Sequence, residues 1–186
     1  MRKPVLLITG ANGEIGHGLI EHLSGQADCG IVALDLNKLD KRLRPHCTAS
    51  ISGDILDQDL LARLVSEYEI LEIYHLAALL SARAEFTPDT AHRVNVEGTL
   101  NLLKLAHEQA RWHGHAVKFL FPSSIAVYGL PDLETKSAAG KVREVDYNFP
   151  TTMYGCNKLY CEHLGRYYSQ HYRQLAADRT PSGVDF

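Results

Sequence analysis

Gly10-Ala11-Asn12-Gly13-Glu14-Ile15-Gly16 follows an apolar run, Val5-Leu6-Leu7-Ile8, and precedes an amphipathic one, Ile15 to Leu23. That order reads strand, tight turn, helix. The aliphatic run suits a strand buried on both faces. The glycines let the chain fold back sharply and let a ligand's phosphates reach bare backbone. The helix that follows aims free N–H groups and the positive end of its dipole at the same point, which makes an anion site. A glycine triplet alone is weak evidence, but a second apolar run, Ile31-Val32-Ala33-Leu34, ends in Asp35. That acid falls at about the 20-residue offset where a carboxylate accepts hydrogen bonds from an adenosine ribose. The alternative is a glycine-rich turn with no ligand; strand, spacing and acid together argue against it.

Composition narrows the class. The chain has 186 residues, 45% of them hydrophobic, enough for one domain with a sizeable core. Lys+Arg number 19 and Asp+Glu 22, and no basic patch argues for nucleic acid. No run is long and apolar enough for a membrane span, and Met1-Arg2-Lys3-Pro4 leads into a core strand and not into a signal peptide. Cys29, Cys47, Cys156 and Cys161 form no Cys-x-x-Cys pair, so neither a zinc knuckle nor a disulfide framework is expected, and a reducing cytoplasm is the default. His113 and His115 flank Gly114 beside Trp112. With no carboxylate or thiol near them in sequence they read as a solvated helix end, and no metal site is expected.

Beyond Asp35, residues 37–48 read as loop and short helix over the adenosine, and 49–54 as a short third strand. Asp57 is placed to cap a helix over about 58–68, with Leu60, Leu61, Leu64 and Val65 on its apolar face. Asp54 is either an adenine-binding carboxylate or a plain turn residue. Residues 71–78 read as a fourth strand, whose small Ala77-Ala78 end leaves room for a ligand; His75 reads as a satisfied strand-end histidine. A long helix is expected from Pro88 to Trp112. Asn95 in its midst either orients a backbone group or relays protons, and composition alone favours exposure. Residues 117–121 form a fifth strand delivering Pro122-Ser123-Ser124 to the same edge. The connection from Gly129 to Pro150 has the length of a lid or mobile segment. A final helix, about 151–172, carries Tyr154 and Lys158 at i and i+4, hence on one face; a surface pair is the alternative. Gly183-Val184-Asp185-Phe186 reads as the start of a sixth strand. The alternation predicts a doubly wound parallel α/β fold.

Gly10-x-x-Gly13-x-x-Gly16, Asp35, the Ser124 strand end and Tyr154-x-x-x-Lys158 together resemble the short-chain dehydrogenase/reductase superfamily. The branch is the extended one, that of NAD-dependent epimerases and dehydratases. His75-Leu76-Ala77-Ala78-Leu79-Leu80-Ser81-Ala82, Pro122 through Gly129 and Pro150-Thr151-Thr152-Met153-Tyr154-Gly155 resemble the bacterial L-threonine 3-dehydrogenases of that branch. The resemblance implies a Rossmann domain over 1–186 with NAD along the top of the sheet. It implies Ser124, Tyr154 and Lys158 as the catalytic trio, and Ser81, Ser124 and Thr152 at a small-molecule substrate. Cofactor contacts implied are Gly10, Asn12, Gly13, Glu14, Ile15 and Gly16 at the turn, and Asp35, Leu36, Asp54 and Ile55 at the adenosine. Leu76, Ala77, Ala78, Asn95, Ser123, Tyr154 and Lys158 follow toward the nicotinamide. The family's substrate-binding part lies largely beyond Phe186, and its members commonly dimerise through their two long helices.

In this reading an ammonium one helical turn away, together with the positive nicotinamide, favours the Tyr154 phenolate, so that it takes a proton from a substrate hydroxyl while Ser124 holds the reacting oxygen. Three functions fit. One is a dehydrogenase, with L-threonine as leading substrate. The second is a nucleotide-sugar epimerase or dehydratase with no net NADH. The third is a silent NAD-binding protein.

Overall fold

The computed structural model describes residues 2–25, 28–175 and 184–186; Met1 and Gly183, quoted above, lie outside them. Six parallel strands form one sheet: β1 (Lys3–Thr9), β2 (Gly30–Asp35), β3 (Ala49–Ser52), β4 (Tyr68–His75), β5 (Val117–Leu120) and β6 (Val184–Asp185). Their order is β3-β2-β1-β4-β5-β6. The sequence runs outward from β1 in one direction and then restarts at β4 on its other side. Ligands of such sheets bind at that switch point, outside the carboxyl ends of the strands.

The turn and first helix follow the expected bounds, with α1 at Glu14–Ser24. Helix α2 (Gln58–Glu67) starts where Asp57 accepts a hydrogen bond from the Leu60 N–H at 3.0 Å, a cap of about 1 kcal/mol. Its Leu60, Leu61, Leu64 and Val65 pack on the sheet face shared with Val5, Leu7, Val32 and Leu103. The opposite face packs Ile8, Ile31 and Ala33 against Ile20 of α1. Strand β5 alternates, with Val117 and Phe119 buried and Lys118 and Leu120 exposed.

Four elements depart from the sequence reading. Strand β4 begins at Tyr68, not at Leu71, because α2 runs straight into it without a loop. The fully buried Gln109 makes this possible: its Oε1 accepts from the Ile70 N–H at 3.0 Å, and its Nε2 donates to the Val65 carbonyl at 3.0 Å. Leu76, Ala77 and Ala78 lie just past the strand end. A short helix, α3 (Ser81–Phe86), precedes the long one. The long helix itself is α4 (Pro88–His92), a π-helical turn at Arg93–Glu97 and α5 (Gly98–His113). Within 129–150 lies α6 (Leu133–Ala139), whose N-cap Asp132 accepts from the Thr135 N–H at 2.7 Å. The ends of that segment meet, Gly129 donating its N–H to the Tyr147 carbonyl at 2.6 Å, as in a closed surface loop. The last helix is α7 (Met153–Leu175).

Candidate functional site

Two groups of side chains gather at the carboxyl edge of the sheet. The first surrounds a cavity of about 340 Å³ between the glycine turn and the ends of β2, β3 and β4. Gly10, Gly13, Asp35, Leu36, Asp54, Ile55, Leu76, Ala77 and Ala78 all line it, with Leu79 and Leu80 continuing the wall. Gly10 has φ +66°, and Gly16 lets α1 sit so close that a Cβ there would come 2.5 Å from the Ala11 carbonyl oxygen. The Asp35 carboxylate accepts from the Asn12 N–H at 3.0 Å and the Asn37 N–H at 2.9 Å. It thus braces the turn, with lone pairs left over for a ligand. The Asn12 side chain serves the backbone, accepting from the Asp40 N–H at 3.1 Å. Asp54 is a turn residue that also faces the cavity, accepting from the Leu56 N–H at 2.9 Å. Glu14 and Ile15 stand exposed in the first turn of α1 and do not line the cavity, whereas Leu36 is an exposed lip.

Asn95 corrects the expectation of exposure. It is buried, and its amide clasps the Leu79 backbone, accepting from N–H at 2.7 Å and donating to C=O at 3.0 Å. The π turn widens the helix there, as such turns do at functional sites. The Asn95 carbonyl accepts from the Thr99 hydroxyl at 2.6 Å and the Cys161 thiol at 3.3 Å, which ties α7 to the same turn. His75 is satisfied, as expected, between the hydroxyls of Thr9 (2.8 Å) and Thr99 (2.9 Å). Burial drives its pKa down to about 3, so the ring is neutral and unsuited to act as a base at neutral pH.

The second group stands where β5 meets the first turns of α7. Gly155 allows the approach, since a Cβ there would collide with the Ala126 carbonyl just beyond Ser124. Lys158 is 4% exposed; its Nζ donates to the Pro122 carbonyl at 2.8 Å and lies 4.2 Å from the Phe121 ring and 5.6 Å from the Tyr154 ring. Burial lowers its pKa to about 8 and raises that of the half-buried Tyr154. In each case desolvation disfavours the charged form. Ser124 caps a 3₁₀ turn, accepting from the Ala126 N–H at 3.2 Å, and Ser123 donates to the Glu162 carboxylate. Thr152 caps α7 by accepting from the Gly155 N–H at 3.0 Å. Ser81 opens α3 on the surface, and Glu85 of that helix accepts from the Met153 N–H at 2.7 Å. Glu85 was not singled out in the sequence; an i-to-j pairing across 68 residues leaves no local signal.

A glycine turn, an acid at the end of β2 and a Tyr/Lys helix beside the end of β5, in one 3-2-1-4-5-6 sheet, define an extended short-chain dehydrogenase/reductase. The chain belongs to the family described as GDP-mannose 4,6 dehydratase, whose profile matches residues 7–179. An uncharacterized epimerase/dehydratase of Staphylococcus aureus is 32% identical over 174 residues, covering 88% of this chain and 48% of the relative. UDP-glucose 4-epimerase from Brucella ovis, solved with NAD, superposes with a TM-score of 0.74 at 28% identity, over 91% of this chain and 49% of that one. A monomeric L-threonine 3-dehydrogenase from a metagenome gives 0.73 at 35% identity, over 90% and 50%. The chain spans about half the length of these relatives. Among the described residues no helix is long and apolar enough to cross a membrane.

Proposed function

We propose that this chain forms the NAD-binding half-site of an oxidoreductase acting on a secondary alcohol, with L-threonine oxidation to 2-amino-3-oxobutyrate the leading reaction. The observation that carries it is the buried Lys158 on one helix face with Tyr154, beside the Ser124 strand end. The cavity suits the adenosine and phosphate end of a dinucleotide: at Gly13 a Cβ would meet only the Gly10 carbonyl oxygen, at 3.3 Å, which leaves the turn's backbone open to phosphates. When bound, the nicotinamide supplies hydride acceptance. Tyr154 takes the hydroxyl proton, Ser124 holds the reacting oxygen, and Lys158 fixes the ribose and the local charge. Ser81 and Thr152 border the substrate on α3 and α7, which Glu85 fastens together.

Cofactor choice follows from Asp35. Its carboxylate accepts from ribose hydroxyls and repels a 2′-phosphate, so NAD binds in preference to NADP. Asp35→Asn keeps the side-chain shape and one acceptor while removing the charge. It is expected to narrow the preference about tenfold, near 1.4 kcal/mol. Fluorescence titration with both dinucleotides measures this, and tighter NADP binding by the parent would refute the assignment.

A second reading is favoured by the names of the relatives: an epimerase or dehydratase that returns the hydride to the same substrate. The protein encoded in full, given NAD and L-threonine, is expected to accumulate NADH, and given nucleotide sugars, to accumulate none. Sugar turnover without NADH would establish the second reading, and neither outcome would leave a silent NAD-binding protein. A cytoplasmic homodimer paired through α5 and α7 is part of the proposal; Trp112, Tyr160 and Tyr167 stand more than half exposed on those helices.

A further inference from the structure

The turn between α5 and β5 brings two imidazoles against one carboxylate, and nothing in the dinucleotide reading uses them. His113 is the last residue of α5, and Gly114 closes the helix with φ +76° and an N–H donated to the Ala110 carbonyl at 2.9 Å. That left-handed residue turns the chain so that the His113 and His115 rings stack, their centroids 5.8 Å apart. Glu69, the second residue of β4, reaches them from the neighbouring strand. Its Oε1 lies 3.2 Å from His115 Nε2 and 3.8 Å from His113 Nδ1. With one atom taken from each residue, the three prospective ligand atoms lie within 4.8 Å of one another. This corrects the expectation that the histidines lack a carboxylate: strand pairing, not local sequence, supplies it.

We propose that Glu69, His113 and His115 bind a divalent transition-metal ion of the zinc class, with water completing the shell. Two imidazole nitrogens and a carboxylate oxygen are the borderline donors that favour such ions over calcium or magnesium. Ligands about 2.0–2.1 Å from a tetrahedral zinc sit roughly 3.3 Å apart. The Glu69–His115 pair already has that spacing, and His113 has to close by about 1.5 Å at most. The side chains are 26%, 19% and 40% exposed for Glu69, His113 and His115, so an ion can enter and His115 has room to rotate. The site lies at the amino end of the sheet. Six residue steps along β4 carry Glu69 to His75, about 20 Å of strand, so the ion braces the fold away from the cofactor edge. An ion pair between Glu69 and a protonated ring is the other chemistry open to this cluster.

The test is titration of zinc chloride, then cobalt chloride, into EDTA-stripped protein carrying Cys156→Ser, which removes an exposed thiol ligand. One saturable site with micromolar affinity is expected, with cobalt absorption typical of N/O ligands. At saturating zinc the melting temperature should rise by roughly 5 °C. Glu69→Gln and His115→Gln should each weaken binding at least about tenfold and abolish the thermal shift, whereas His22→Gln and His92→Gln should leave both unchanged. His115 is at a partly exposed turn and Glu69→Gln is isosteric, so misfolding of one variant leaves the other to decide. Absence of saturable binding at about 1 mM zinc, or equal binding by parent and both variants, overturns the proposal and leaves only the ion pair.

Discussion

Tyr154→Phe is expected to lower kcat by about 10²–10⁴-fold in the protein encoded in full, while NAD affinity stays within about threefold of the parent. The substitution removes one oxygen and little volume from a half-buried ring. The loss is therefore chemical. Proton transfer from a substrate hydroxyl needs an acceptor near the reacting carbon, and the other titratable groups close by are poorly placed. His75 is sealed between two threonines and neutral, and Lys158 is pinned to the Pro122 carbonyl. Burial alone holds Tyr154 above its ordinary pKa, so the phenolate has to be favoured by charge brought in with the dinucleotide. Lys158→Met should lower kcat and NAD affinity together and, by removing a cation 5.6 Å from the Tyr154 ring, should move the rising acid limb of kcat/KM upward in pH. Steady-state kinetics over a pH range, paired with NAD titration, reads both variants. Near-normal turnover by Tyr154→Phe would remove Tyr154 from the reaction.

What could be read in the sequence is what local chemistry dictates. The Gly10–Gly16 turn, Asp35 and the Asp57 cap are each set within a few residues, and each appears at its expected bounds. The missed features depend on contacts across tens of residues or lack a periodic signal. Helix α3 buries only Ala84 and α6 buries nothing, so neither shows an apolar stripe. The early start of β4 depends on Gln109, about 40 residues away. Asn95 looked exposed because the π turn that rotates it inward leaves no trace in a period of 3.6. Glu69 joins His113 and His115 only because β4 and β5 are neighbours in the sheet. The same holds for the candidate site, where the residue types stood in the sequence but the Pro122 anchor of Lys158 did not.

Gly10→Ala is expected to lower stability by about 2–5 kcal/mol and to abolish measurable NAD binding, while Gly18→Ala, eight residues on, should leave binding intact and raise stability by about 0.5–1 kcal/mol. At Gly10 two costs add. A left-handed residue with a Cβ costs about 1–2 kcal/mol. The new methyl would also lie 2.6 Å from the Ala77 nitrogen and 2.8 Å from the Leu76 carbonyl carbon, both backbone atoms. Those atoms cannot give way easily. Leu76 donates its N–H to the Thr9 carbonyl at 3.0 Å, and the Thr9 hydroxyl is held by His75, itself held by Thr99. Relief would have to come from opening the turn, which moves the N–H groups offered to phosphate and the Ala77-Ala78 wall of the cavity together. Gly18 lies on the exposed side of α1 with no atom within 4 Å of its missing Cβ, so alanine there gains helix propensity and meets nothing. Thermal melts and NAD titration of the two variants separate a local steric demand from a general intolerance of the turn and helix to substitution. If Gly10→Ala melted and bound NAD like the parent, the close approach of turn and β4 would not be what shapes the dinucleotide cavity.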